Sequence, residues 1–152
     1  MIAQLLIGSG LILSTILIAA MGVLAMEVAL LRGHNWLMRD PQRFRLVLVV
    51  VAVMLLVIAI MTMGVWSWAI TFHMLGAFDH FEEAMYFSLV AFTTLGFGDV
   101  LPPQEWRILA GMAAADGLLT FGLLTALMIE ALRHVRLHQH AARGTPPRPH
   151  KG

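Results

Sequence analysis

The sequence predicts an all-α membrane protein with three transmembrane helices and one shorter helix that enters the membrane without crossing it. Hydrophobic residues make up 59% of the 152 residues and charged residues only 12%, whereas soluble domains carry about 25% charged residues. Three apolar stretches, at about 5–31, 46–75 and 108–132, each exceed the ~20 residues that a helix needs to cross a membrane. A fourth stretch, 80–94, is too short to cross, which favours a re-entrant helix.

Basic residues are concentrated in two regions, and this distribution predicts the orientation. Of the ten Lys and Arg residues, only Arg107 lies between the second and third apolar stretches, and the others lie in 32–45 or after 132. Because basic loops remain in the cytoplasm, we expect residues 32–45 and the C-terminus there, with the N-terminus and residues 72–106 outside. The expected location is a cell membrane, specifically a bacterial inner membrane, which the chain crosses several times.

The residue types that would support enzyme chemistry do not come together in the sequence. The absence of Cys excludes disulfides and thiolate metal ligands, and the seven His residues show no metal-binding spacing. The acids and His form no pattern of nucleophile, base or metal ligand. We therefore predict no enzyme activity, no cofactor and no nucleic-acid partner.

The most informative stretch begins with the short apolar helix. Asp79, with Glu82 three residues later, has the pattern of a capping box, and the helix is expected to end near Thr93. The C-terminal end of a helix carries about half a negative charge, and in a re-entrant helix that end points into the membrane, where it stabilises a cation. The six residues that follow Thr93 are Thr94, Leu95, Gly96, Phe97, Gly98 and Asp99.

Within these six residues, glycine occupies alternate positions, Gly96 and Gly98. A dehydrated K⁺ ion needs a cage of oxygens to replace its water, and a strand stacks its carbonyls that way only if its dihedrals alternate between right- and left-handed. Glycine adopts the left-handed ones at least cost. We expect the Thr94 hydroxyl to add an oxygen at the inner end, and the side chains of Leu95 and Phe97 to point away as packing spacers.

This string resembles the filter of the potassium-channel pore-loop family, which reads Thr-Val/Ile-Gly-Tyr/Phe-Gly-Asp. Five of the six positions fit, and Leu95 stands where Val or Ile is commoner. Phe97 has no hydroxyl, so apolar packing, and not a Tyr–Trp hydrogen-bonded cuff, is expected to brace the filter. Val90 stands where some members carry a Glu paired to the filter Asp, so we expect no such pair at Asp99.

The resemblance also implies an assembly and a function. The chain looks like a small bacterial two-helix ion channel with an extra N-terminal transmembrane helix, and the family closes its pore with four chains, so we expect a C4 homotetramer. It would conduct K⁺ passively, with ions held by Thr94, Leu95, Gly96 and Phe97 in a filter that ends at Gly98. A weakly selective cation channel, suggested by Leu95, and a non-conducting accessory subunit are the alternatives.

Five acidic residues fall in the region expected outside the membrane: Asp79, Glu82, Glu83, Asp99 and Glu105. A ring of carboxylates at an outer mouth would raise the local cation concentration, and Asp99, Glu82 and Glu83 are the candidates. The alternative is that these loops are simply polar.

The third apolar stretch looks like the inner helix of the same channels, with Gly117 at the position of their hinge glycine. A bend there would open or close the cytoplasmic end; the alternative is that Gly117 permits close helix packing. Helical spacing places Leu118, Phe121 and Thr125 on one face. We assign that face to a water-filled cavity, with Phe121 as a candidate constriction.

Asp116 is an acid inside a membrane-spanning stretch, and such acids are usually functional. It lies about 200° round the helix from Leu118, so we expect it to face the short helix or the second transmembrane helix. A hydrogen bond to the end of the short helix near Thr93 and a proton-sensitive switch are the two interpretations.

These elements divide the chain into an extra N-terminal transmembrane helix (1–31), a basic cytoplasmic or interfacial connection (32–45), a pore domain (46–135) and a short basic cytoplasmic tail (136–152). The first helix is expected to remain uncleaved, because no basic residue precedes it and it is longer than the apolar part of a signal peptide.

Two further patterns predict contacts with the membrane and between helices. Trp66 and Trp68, near the outer end of the second stretch, are expected to be interfacial anchors. Gly10 and Ser14 suggest a small-residue face on the first helix, which is expected to pack peripherally against the second.

The basic connection and the tail carry the remaining predictions. Anionic lipid is a possible partner at Arg39, Arg43 and Arg45, and a loop that only sets the topology is the alternative. Disorder is expected beyond His140.

Overall fold

The computed structural model describes residues 1–32 and 42–143, and all regular structure in these ranges is helical. The elements are α1 (Ile2–Arg32), α2 (Gln42–Met74), α3 (Phe81–Phe92), one turn of 3-10 helix (Gln104–Trp106) and α4 (Arg107–Arg143). For this part of the chain, the predicted all-helical class is confirmed.

Three of the four helices are long and apolar enough to cross a membrane, over Ile2–Met26, Val50–Met74 and Gln104–Ala126. The remaining helix, α3, has only 12 residues; at ~1.5 Å per residue it is about 18 Å long, well short of the ~30 Å apolar layer. The predicted pattern of three long helices and one short one is therefore confirmed. The last helix continues to Arg143, past His140, where we expected disorder to begin.

A glycine turn reverses the chain between α2 and α3. Gly76 has a φ of +67°, and its amide donates to the His73 carbonyl while the amide of Ala77 donates to the Phe72 carbonyl, both at 3.0 Å. This pair of bonds is a Schellman motif, which satisfies the last carbonyls of a helix and needs a left-handed residue that glycine supplies cheaply. The turn brings α3 back against the C-terminal half of α2.

The start of α3 differs from the sequence prediction. The N-cap residue is His80, in an extended conformation (φ −108°, ψ 136°), and no side chain caps the helix. The predicted capping box at Asp79 and Glu82 is therefore wrong, because the helix begins one residue later and no side chain caps it. The His80 carbonyl still accepts the first helical bond, from the Ala84 amide at 3.2 Å, so the helix begins without side-chain help.

An aromatic cluster fixes α3 against α2 and α4. The ring of Phe72 lies edge-on to the ring of Phe87, with 5.3 Å between centroids, and the rings of Phe78 and Phe87 are 5.1 Å apart. Phe92 and Leu109 complete this buried cluster. Aromatic pairs of this geometry add to the free energy gained from area burial alone, so rings on α2, on the turn that follows it and on α3 itself help to set the position of α3.

The N-terminal helix lies in the groove between α2 and α4. Gly8 faces Met112 and Leu109 of α4, Gly22 faces Ile60 of α2, and Ala19 belongs to a small buried cluster with Ile60 and Leu124. We expected α1 to pack peripherally against α2; it does contact α2, and its additional contact with α4 was not expected. Gly10 and Ser14 are exposed, so the predicted small-residue face is the wrong side of the helix.

A polar contact joins α1 to the beginning of α4. The Leu109 amide, in the first turn of α4, donates to Gln4 Oε1 at 3.3 Å, and Gln4 Nε2 donates to the Glu105 carbonyl. The first amides of a helix have no partner within the helix, so α1 supplies one. We did not predict this contact.

Some predictions fall on residues that the structure does not describe. Arg39 lies outside the described residues, as do the side chains of Arg43 and Arg45, so lipid binding at these three residues stays a prediction. The tail after residue 143 also lies outside the described residues, so its predicted disorder stays a prediction.

Candidate functional site

The residues after α3 fold back onto the end of that helix. The amides of Thr94 and Leu95 donate to the carbonyls of Ala91 and Val90, at 2.9 and 3.0 Å. The helix ends at Phe92 with Thr93 as its C-cap, close to the predicted end near Thr93. These bonds tie the first two residues of 94–99, which we call the candidate filter segment, to the last turn of α3.

The backbone of the candidate filter segment alternates in handedness. Positive φ values occur at Thr94 (58°), Gly96 (60°) and Gly98 (77°). We expected left-handed backbone conformations at Gly96 and Gly98, and both residues have them. Such alternation turns successive peptide groups so that their carbonyls point to one side, which is how a backbone can present a row of oxygens to an ion.

Thr94 also has a left-handed conformation, which we did not expect. Positive φ is rare for β-branched residues, and the left-handed region costs a residue with a Cβ about 1–2 kcal/mol. The bonds from Thr94 and Leu95 to α3 hold the backbone in this conformation. Strained residues of this kind cluster at functional sites, so Thr94 marks the segment as a candidate site independently of its glycines.

The apolar side chains of the candidate filter segment are largely exposed within one chain. Leu95 is 58% exposed and Phe97 66% exposed, and a Cβ on Gly96 or Gly98 would meet nothing within 4 Å. The predicted role of Leu95 and Phe97 as packing spacers is therefore not met by this chain alone and stays a prediction.

The last residue of the segment, Asp99, is held by a hydrogen bond that we did not predict. The Tyr86 hydroxyl, on α3, donates to Asp99 Oδ2 at 2.6 Å. This bond raises the pKa of the Tyr86 phenol and lowers the pKa of the Asp99 carboxyl. We expected no acid partner for Asp99, because Val90 stands where some members of the family carry a Glu. The partner is instead Tyr86, which precedes Val90 by four residues and therefore lies on the same side of α3.

The three acids predicted for an outer mouth lie on the surface of the chain. Glu82 and Glu83 are exposed in the first turn of α3, and Asp99 is exposed beside Tyr86 of the same helix. Their arrangement as a ring stays a prediction, because a ring needs several chains.

Phe92, the last residue of α3, is enclosed by two glycines. A Cβ on Gly117 of α4 would collide with the Phe92 backbone carbonyl, and one on Gly64 of α2 would come within 2.6 Å of the Phe92 ring. The alternative interpretation of Gly117, close helix packing, thus has a structural basis. The hinge interpretation stays a prediction.

Asp116 lies beside Gly117 and is fully buried. Its Oδ2 accepts a hydrogen bond from Trp68 Nε1 of α2 at 2.8 Å, so it faces the second transmembrane helix, one of the two directions expected. The expected bond near Thr93 is wrong, because the Thr93 hydroxyl donates to the Leu89 carbonyl of its own helix at 2.7 Å. Hydroxyls of Thr15 and Thr120 also lie near the carboxyl.

The two tryptophans of α2 have different environments. Trp66 is half exposed and packs on Phe81, with 5.9 Å between the ring centroids, as an interfacial residue would. Trp68 is completely buried and bonded to Asp116, so its predicted role as an interfacial anchor is wrong.

The residues assigned to a cavity share one exposed side of α4. Leu118 and Phe121 are exposed, as is Thr125, whose hydroxyl donates to the Phe121 carbonyl at 2.8 Å. They lie on the side opposite Asp116 and the other buried residues of α4. Their role as a lining, and that of Phe121 as a constriction, stays a prediction.

Comparison with protein families identifies the part of the chain that carries this arrangement. A family model described as "Ion channel" matches residues 58–134, which begin within α2 and include α3, the candidate filter segment and most of α4. No curated protein and no solved structure matched the chain.

The match covers half of the chain and leaves α1 outside it. Its family has the two-helix pore of potassium-channel type, and the three apolar helices fit a protein that crosses the membrane several times. The chain belongs to this family of ion channels.

Proposed function

We propose that this chain is one subunit of a homotetrameric, potassium-selective channel that conducts K⁺ passively across a membrane. The backbone carbonyls of Thr94, Leu95, Gly96 and Phe97, with the Thr94 hydroxyl, would form the ion sites. In this proposal α2 is the outer helix, α3 the pore helix and α4 the inner helix.

The observation that carries the proposal is the alternation of positive φ at Thr94, Gly96 and Gly98. A K⁺ ion that loses its water must be surrounded by oxygens. An alternating backbone presents carbonyls to one side at every residue, whereas an ordinary strand points them alternately to both sides. The same segment is exposed and is tied at both ends to a helix too short to cross the membrane.

The exposed apolar surface of the segment supports the tetramer. Leu95 and Phe97 of the segment, and Leu101 just after it, are each more than half exposed within one chain, and all three lie within the residues that match the family. One chain also supplies only one side of an ion cage. Four chains around an axis would complete the cage and would bury these side chains between neighbours.

The charge distribution supports an orientation with the N-terminus outside and the C-terminus in the cytoplasm. Arg107 is the only Lys or Arg between residues 46 and 132, and the acids Glu82, Glu83 and Asp99 lie in the same range. Basic loops remain in the cytoplasm, and the region with few basic residues would therefore lie on the other side of the membrane. α3 and the candidate filter segment would then face the outside, where these carboxylates would attract cations.

The test is ion flux into liposomes that contain only the purified full chain, with K⁺ and Na⁺ compared. We expect a K⁺-driven flux that Na⁺ does not replace. Gly96→Ala should abolish it, because alanine is strained at a φ of +60°. Gly10→Ala is the matched control: Gly10 is exposed on α1 and has no atom within 4 Å of a built Cβ, so its flux should equal that of the wild type.

Two results would lead to the alternatives. Equal K⁺ and Na⁺ flux would show a weakly selective cation channel, in which Leu95 is the residue to change first. No flux from protein that is folded and tetrameric would contradict channel activity of the chain on its own and would favour an accessory subunit.

A further inference from the structure

Asp116 is buried where three long helices meet. Its carboxyl accepts the Trp68 indole N–H of α2 and lies near the hydroxyl of Thr15 on α1 and of Thr120 on α4 itself. Among the described residues its second oxygen, Oδ1, has no hydrogen-bond partner. Since a buried acid is costly unless it is hydrogen-bonded, the indole bond favours the rotation of α4 in which Asp116 faces α2.

A short series of backbone contacts leads from Asp116 to the candidate filter segment. The next residue, Gly117, lies so close to the Phe92 carbonyl that a Cβ would collide with it. Phe92 ends α3, and its ring is held on the other side by Gly64 of α2. The two carbonyls just before Phe92 accept the amides of Thr94 and Leu95.

Two neighbouring turns of α2 therefore contact both Asp116 and Phe92, the first and last residues of this series. Gly64 contacts the Phe92 ring, and Trp68, one helical turn further along, bonds to Asp116. A shift of α4 away from α2 would separate the end of α3 from Gly117, whose backbone packs directly against Phe92. The strained residue Thr94, only two positions beyond Phe92, would be the first part of the segment to relax.

We propose that Asp116 is a positioning residue for ion selection: its bond to Trp68 holds Gly117 against Phe92 and thereby fixes the inner end of the candidate filter segment. The proposal rests on the proposed function, because it concerns selection among ions. It assigns a role to an acid that does not face the exposed side of α4 and does not touch the ion sites. The effect on ion selection would come from the indole bond, and not from a side chain on the exposed face of α4.

The test compares two tryptophan substitutions on α2. Trp68→Phe keeps an aromatic ring but removes the N–H that Asp116 accepts. Trp66→Phe, two residues away, is the matched control, because the Trp66 ring is half exposed and packs on Phe81 instead. The first measurement is the K⁺-to-Na⁺ permeability ratio of the full chain in liposomes.

We expect Trp68→Phe to lower the ratio several-fold and Trp66→Phe to leave it unchanged. Asp116→Ala should resemble Trp68→Phe, whereas Asp116→Asn, which keeps an oxygen to accept the indole N–H, should retain most of the wild-type ratio. Rescue by Asn separates loss of the bond from a general defect of the helix. Equal ratios for Trp68→Phe and Trp66→Phe would overturn the proposal.

The second measurement does not depend on conduction. The chain has no Cys, so Leu89→Cys, on the exposed side of α3, can carry a single nitroxide label whose mobility is read by electron paramagnetic resonance. We expect Trp68→Phe, but not Trp66→Phe, to increase the mobility of this label. Unchanged mobility would overturn the proposed link between Asp116 and α3 even if the protein conducts no ions, whereas increased mobility with no K⁺ preference in the wild type would contradict the proposed function alone.

Discussion

Substitution of Gly117 by alanine should separate the two interpretations of this residue. A Cβ at position 117 would coincide with the Phe92 carbonyl, and neither partner is a flexible side chain that can rotate away. Helices α3 and α4 must therefore move apart. If Gly117 served only as a flexible point in α4, alanine would relieve the conformational cost of glycine in a helix and would stabilise the protein.

The magnitude follows from two opposing contributions. Forcing extra atoms into a packed interior costs about 1–3 kcal/mol, and a collision with backbone belongs at the upper end of that range. Replacing glycine by alanine inside a helix returns about 1 kcal/mol. We therefore expect Gly117→Ala to lower the free energy of unfolding by about 2 kcal/mol, whereas Gly10→Ala, in open space on α1, should raise it by up to about 1 kcal/mol.

The assay is equilibrium unfolding of the full chain in mixed lipid–detergent micelles, followed by tryptophan fluorescence. The two alanine variants are compared with the wild type under identical conditions. If Gly117→Ala were as stable as Gly10→Ala, the backbone contact with Phe92 would not exist as described. The argument that links α4 to the end of α3 would then fail with it, and the hinge interpretation would gain support.

Three further results are expected. Tyr86→Phe should raise the pKa of the Asp99 carboxyl toward its ordinary value, because the phenol bond lowers it. The bond is fully present above the ordinary pKa of Asp99 and is lost as the pH falls through the lowered pKa. The pH at which acid changes the K⁺ current should therefore be higher in the variant than in the wild type, and an unshifted profile would contradict the bond. Gln4→Ala should lower the free energy of unfolding by about 1 kcal/mol, the usual contribution of an intramolecular hydrogen bond, because α4 loses the partner of its first-turn amide, and an unchanged unfolding curve would show that α1 does not cap α4. In a chain without native Cys, Glu83→Cys should react with a membrane-impermeant maleimide in intact cells and Arg143→Cys only after permeabilisation, and the reverse pattern would refute the orientation.

Trp68 illustrates why part of the candidate site escaped prediction. A tryptophan near the end of an apolar stretch is most often an interfacial anchor, and Trp66 and Trp68 look alike in the sequence. Which of the two faces the interior depends on the rotation of α2 relative to α4, and apolar residues on all sides of α2 give no periodic signal of that rotation. For the same reason, no pattern in the sequence indicated that Trp68 is the partner of Asp116.

The sequence by itself determined the class of the protein, the number and order of its helices, and the position of the candidate filter segment. Each of these depends on local properties: the length of an apolar stretch, the placement of basic residues, and the need for glycine at Gly96 and Gly98, where the backbone is left-handed. Only the tertiary structure decided that α1 lies against α4, that Tyr86 bonds to Asp99, and that Asp116 bonds to Trp68. These contacts join residues from different turns or different helices, and in an apolar chain the rotation and depth of each helix are set by packing against its neighbours, which no local pattern records.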